Sequence, residues 1–325
     1  MSAVRSDAVV RVVAMAAACV AAGVMPAAAQ GFAACEAIFT GDSRAFCARL
    51  AEAAEVTQAR VGLGFTGGNP VPGTGSTLGR RIRRVPRVSV AARITGVDTD
   101  LPPISSIGSS NEVGFFLPTF NVDAAVGILN GMSLAPTVGG FGSADLLLSY
   151  GRSSLPGDDG FEDSPSSWGV GARVGILRES FVVPGVSVSA MYRRIGDIDF
   201  GDRALERRDA FFGLSDNSVL SLRGTVGKRL LMLGATAGVG YDKYKSDVEI
   251  VLENPDDGDV YSLNERVKTD RTTLFGNLSW SMLILHISGE VGWQSGGDAL
   301  PTPTNFESQS EKGTWYGSLA VRLSI

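Results

Sequence analysis

Long apolar runs, histidine and cysteine are all scarce in this chain of 325 residues. After residue 29 nothing reaches the roughly 18 consecutive apolar residues that a spanning helix needs, which excludes a helical membrane protein. Histidine occurs once, as His286, far in sequence from the cysteines. Two thiolates without further ligands make no metal centre, so neither metal nor cofactor is expected. Basic residues are outnumbered, 29 Lys and Arg against 34 Asp and Glu for a net charge of −5, which speaks against nucleic acid as a partner.

What is present begins with an export signal. Arg5 and Arg11 precede an apolar stretch over residues 12–25, and Ala27, Ala28 and Ala29 supply the small residues of a cleavage site. Residues 1–29 are therefore expected to be removed, and Cys19 with them. Cys35 and Cys47 remain, and an oxidising compartment would join them; two free buried thiols are the alternative. A helical pattern follows over residues 43–59, with Phe46, Leu50, Ala53, Ala54 and Val56 on one face. This small disulfide-tied helix is expected on the periplasmic side.

The rest of the chain has period two. In the last residues Trp315, Gly317, Leu319, Val321, Leu323 and Ile325 alternate with Tyr316, Ser318, Ala320, Arg322 and Ser324. An apolar face with an aromatic rim and a polar opposite face resembles the closing strand of bacterial outer-membrane β-barrels. Ten such strands are predicted, at residues 87–95, 116–128, 138–150, 168–177, 186–194, 218–226, 231–241, 272–280, 282–293 and 313–325. Long polar connections (96–111, 151–167, 196–217, 242–271, 295–312) alternate with short ones (129–137, 178–185, 227–230 and the junction at Ser281). That places both termini in the periplasm. Tyr150, Trp168, Tyr192, Tyr241, Trp280, Trp293 and Trp315 fall near strand ends as interfacial girdles, which a soluble β-sandwich does not need. The fold expected is an all-β antiparallel transmembrane barrel at 81–325, behind a plug at 30–80. The C-terminal strand is expected to engage the barrel-assembly machinery, and the surface to meet outer-membrane lipid and lipopolysaccharide.

Residues 61–75 complicate the count. Val61, Leu63 and Phe65 alternate with Gly62 and Gly64 before a Gly/Pro-rich stretch, so a twelve-stranded barrel is the alternative to a plug. The layout is similar to that of uncharacterised outer-membrane barrels with a helical N-terminus and a hatch-like segment. Through the Asn69-Pro70 pair it also resembles the long-chain fatty-acid transporter family, whose N-terminal hatch implies a plugged lumen.

Parity directs Arg87, Arg93, Asp123, Asp145, Arg173, Arg193, Arg223, Arg271, Glu290 and Arg322 into the lumen. They form either a paired network that fills it or a water-lined constriction with selectivity for charge. The run Arg80, Arg81, Ile82, Arg83, Arg84 lies beside either the lumen or the periplasm. His286, Ser288 and Glu290 share one face of a strand, the residue types of a hydrolytic nucleophile, and His286 and Ser288 are similar to the His-x-Ser element of outer-membrane lipid A deacylases. A hydrogen-bonded lumen histidine is the plainer reading, and no enzyme is expected. Acidic loop residues Asp158, Asp159, Glu162 and Asp163, and the turn at 254–259, suit solvation or divalent cations shared with lipopolysaccharide. The function expected is a passive conduit for small or hydrophobic solutes, with a structural or adhesion barrel second and a lipid hydrolase third.

Overall fold

The computed structural model describes residues 33–79, 85–102, 104, 113–135, 138–157, 160–162, 164–205, 210–254, 258–297 and 310–325. The export signal, the arginine run at 80–84, and Asp158, Asp159 and Asp163 lie outside the described residues.

Alternation dictates the architecture. Strands β1 (Val88–Leu101), β2 (Val113–Ala135), β3 (Val138–Ser153), β4 (Ser166–Leu177) and β5 (Gly185–Ile195) pair in sequence, each antiparallel to the next. The second run is β7 (Ala210–Leu230), β8 (Leu233–Glu253), β9 (Val260–Met282), β10 (Leu285–Gln294) and β11 (Thr314–Ser324). Pairing of β1 with β11 and of β5 with β7 closes a ring of ten. The short β6 (Ile198–Gly201) pairs with β7 at its loop end and bridges to Phe161. Closure leaves no sheet edge, the condition for a sheet in hydrocarbon. Residues 61–65 are helical, so the twelve-strand alternative is not what forms.

Burial follows parity. Val90, Ile94, Phe120, Leu148, Val170, Leu222, Leu278 and Leu319 face outward and are exposed, while Arg93, Thr95, Asn121, Asp145 and Arg173 face inward and are buried. An apolar exterior around a polar interior is the signature of a transmembrane barrel. At one end the connections are tight, and β7 and β9 run further than expected before turning. The turns come at 231–232 and 283–284 rather than at 227–230 and Ser281, with Leu231 and Leu283 at φ of 56° and 52°. By the long-loop, short-turn rule this end is periplasmic.

The opposite end departs more from expectation. Most of 242–271 is strand, because β8 and β9 continue past the aromatic belt. There the binary pattern inverts. Outward positions of β8 become Lys243, Lys245, Asp247 and Glu249, while the inward ones become Val248, Ile250 and Leu252, none more than 1% exposed. On β9, Arg266 pairs outward with Asp247 at 2.6 Å, while Leu263 and Val267 are buried. Charge outside and apolar atoms inside is the pattern of a protein in water. The inversion therefore marks where lipid ends. Above it lies a folded cap whose core holds Phe161 against Phe200 at 5.2 Å and Phe200 stacked on Phe212 at 5.0 Å.

Leu319 is 65% exposed on the lipid face. Leu319→Arg should impair assembly by about 2–4 kcal/mol, read from the heat-modifiable gel shift, whereas Lys245→Glu above the belt should assemble normally.

Candidate functional site

Two helices precede the barrel, α1 (Ala33–Ile38) and α2 (Gly41–Thr66), and Cys35 and Cys47 join them in a disulfide. Helix α2 is rich in Ala, Leu, Glu and Arg, which favour helix, and Asp42 in its first turn complements the helix dipole. It outlasts the expected pattern by seven residues, stopping where the Gly67 N–H meets the Leu63 carbonyl at 2.7 Å. Gly62 and Gly64, which gave that stretch its strand-like look, are needed for close approach. A Cβ on Gly62 would stand 2.3 Å from the Tyr244 ring, and one on Gly64 2.3 Å from Thr119 Oγ1.

The helix runs down the lumen, with residues 43 and 46–66 buried except for Ala48. Its disulfide-tied start lies at the long-loop end, where Phe39 packs edge-on against Tyr261 with centroids 5.3 Å apart. The periplasmic placement expected for this helix is thus corrected. Phe46, Leu50, Ala53 and Ala54 form an apolar face, and the apolar partners that can bury it, including Phe212, Ile250 and Leu252, sit in the cap. Residues 67–79 then continue to the periplasmic end, where Leu78 N donates to both carboxylate oxygens of Asp145 at 3.0 Å.

Six of the ten lumen candidates touch this plug directly: Arg87, Arg93, Asp145, Arg223, Arg271 and Glu290. Arg93 pairs with Asp123 at 3.2 Å and donates to the Gly67 carbonyl at 2.7 Å. Arg223 pairs with Asp242 at 2.9 Å and donates to the Thr66 carbonyl at 2.9 Å. Arg271 reaches Glu55 of α2 at 3.1 Å, and Arg173 binds Asp145 through Nε at 3.0 Å and Nη2 at 2.8 Å. Glu290 accepts from Asn69 N at 3.1 Å and from the Tyr316 hydroxyl at 3.4 Å. Arg193 is buried and makes no ion pair among the described residues. Arg87 is exposed at the periplasmic rim, donating to the Leu78 carbonyl at 3.3 Å, and Arg322 is buried near the same rim.

Several partners escaped sequence reasoning. Gln58 donates to Ser246 at 2.7 Å and accepts from Thr269 at 2.8 Å, while Gln294 donates to the Tyr244 hydroxyl at 2.9 Å. Asp242 and Tyr244 lay in a stretch read as loop. Had β8 been carried on at the same parity, both would have fallen on the inward face.

The hydrolytic set is not assembled. His286 Nδ1 shares a hydrogen bond with Ser281 at 2.8 Å, Glu290 serves Asn69 and Tyr316, and no hydrogen bond joins His286 to Ser288 or Ser288 to Glu290.

A closed ring of ten strands, lipid-facing apolar residues, a polar lumen and one end dressed for water decide the class. The chain is an outer-membrane β-barrel. No protein-family profile and no characterised protein sequence matches it. Among solved structures it is similar to the translocator domain of the autotransporter NalP from Neisseria meningitidis, with 13% identity, a TM-score of 0.41, and 74% of this chain and 87% of that one covered. It is also similar to the β domain of the Bordetella autotransporter BrkA, with 11% identity, a TM-score of 0.38, and 73% and 98% covered. A third is the outer membrane protease OmpT from Escherichia coli, with 9% identity, a TM-score of 0.34, and 74% and 96% covered. Their roles differ, and none of these likenesses takes the resemblance to hatch-bearing fatty-acid transporters further.

Two outcomes follow from the plug. In a background lacking both cysteines, Ile38→Cys should react with a membrane-impermeant maleimide on intact cells, while Leu283→Cys should react only after the outer membrane is permeabilised. Arg271→Ala should destabilise the folded barrel by about 3–5 kcal/mol by removing the buried ion pair of Glu55, and the double variant with Glu55→Ala should recover part of that loss in thermal unfolding.

Proposed function

We propose that the protein is a sealed barrel that works at the cell surface, holding its outer cap and disulfide-tied N-terminal helix in place for contact with partners outside the cell. The observation that carries this is the occupied lumen. Helix α2 and residues 67–79 run its length, and buried Arg93, Arg223, Arg271 and Glu290 each bind the plug. An open pore would leave these charges to water, whereas here plug atoms join the wall in binding them. The cap supports the same reading, since a packed aromatic core holds a surface in one shape. Lys243, Lys245 and Lys268 stand together on the outer face of β8 and β9 just above the aromatic belt, at the level of lipopolysaccharide phosphates.

Gated passage of small solutes is the second reading, and one observation favours it. Thr57 Oγ1 and Arg60 Nε are buried without partners among the described residues, which suits a hydrated seam between plug and wall. No reaction is assigned, because the His286 set lacks the contacts of a nucleophile and its base.

Planar-bilayer recording separates the two readings. The full chain should show no stable conductance steps, and a variant lacking residues 41–79 should conduct if its ring still closes. Steady conductance by the full chain would make passage the function and the cap secondary.

A further inference from the structure

We infer that the periplasmic mouth of the barrel binds the phosphate of an anionic lipid headgroup. A cavity of about 690 Å³ opens there, and Arg87, Arg178, Arg229 and Arg322 stand in its wall. Against them is the carboxylate of Glu179, which accepts from the Arg229 backbone N–H. The cavity is therefore cationic in balance.

Arg322 decides the chemistry. Its side chain is only 3% exposed, one Nη donates to Ser324 Oγ at 3.1 Å, and its Nε has no partner. Among the described residues no carboxylate stands within ion-pair distance of it. Arg193, higher in the lumen, shares this state, whereas Arg93, Arg173, Arg223 and Arg271 each have one. A buried guanidinium without a counter-ion is costly, and its planar fork matches two phosphate oxygens.

The lip of the same cavity selects among phosphates. Phe181, Leu231 and Leu283 line it and are 92%, 99% and 97% exposed. Water disfavours three such side chains at turn tips, but acyl chains suit them, and these tips lie at the periplasmic boundary of the bilayer. A free anion would need only the arginines; a lipid uses both features. The site is at the opposite end from the cap, so it does not depend on the surface role proposed above.

The test uses the full chain folded in a neutral detergent, titrated calorimetrically with dihexanoylphosphatidylglycerol, dihexanoylphosphatidylcholine and inorganic phosphate. The phosphatidylglycerol should bind roughly tenfold tighter than either of the others, and Arg322→Gln should weaken it roughly tenfold while Arg322→Lys keeps part of the affinity. A heat-modifiable gel shift at the wild-type temperature checks that each variant is folded. Should Arg322→Gln fail to fold, the double variant of the exposed Arg178→Gln and Arg229→Gln gives the same readout. Equal binding of the two lipids, or affinity unchanged by these substitutions, would overturn the site. Equal binding of inorganic phosphate would overturn its assignment to lipid.

Discussion

Hydrocarbon surrounds this barrel and its lumen is narrow, so the charges that point inward draw their partners from inside the protein. The wall does not manage this alone. Arg93 and Arg223 each have a carboxylate on a neighbouring strand, yet each also needs a backbone carbonyl of the plug, from Gly67 and Thr66. Arg271 takes its carboxylate from α2 itself, and Asp145 divides its oxygens between Arg173 and the Leu78 backbone. Plug and wall are thus one electrostatic unit. Removing the plug would strand several buried charges at once, which is why occupancy of the lumen bears so directly on function.

The same solvent constraint places the membrane. Below the aromatic belt the outward residues are Leu, Val and Ile because lipid touches them. Above it β8 and β9 keep their hydrogen-bonded register without a break through Lys243–Asp270 and Asp247–Arg266 while the two faces exchange character. A strand continues because its backbone is paired, whatever touches its side chains. The inverted face then supplies the apolar lining that α2 needs, and the cap core gathers Phe46 and Leu50 with Phe212 and Leu252.

Strand number, ring closure and the parity that turns Arg93, Arg173, Arg223 and Arg271 inward were legible in the sequence, because lipid imposes a strict period of two on the residues it touches; the same parity misplaced Arg87, which is exposed at the rim. The disulfide was legible from compartment and cysteine count. The hairpin at 242–271 was not, since a rule tuned to apolar-outward alternation reads charged-outward alternation as loop. Leu231 and Leu283 hid the turns, because apolar residues with positive φ give no turn signal. The partners Glu55, Gln58 and Asp242 were invisible for a different reason. They meet their wall residues only once a helix is threaded through a ring, and no local pattern encodes that contact.

Direction along the lumen was likewise beyond local pattern, but it follows from counting. An even number of strands returns the chain to the side where it entered, so ten strands that end at Ile325 in the periplasm must also begin there, at Val88. Ala33 lies at the outer end, so the chain crosses the membrane once more before β1. Helix α2 and residues 67–79 supply that eleventh crossing inside the ring. Because it never touches lipid, this crossing is free to carry Glu52, Glu55, Arg60 and Asn69 as buried residues and to bend at Gly/Pro-rich positions, neither of which a lipid-facing strand tolerates. The alternation at 61–65 that suggested a further pair of strands belongs to this internal crossing. Its glycines face Tyr244 and Thr119 of the wall, and what looked like a strand pattern is the spacing of close contacts along a helix.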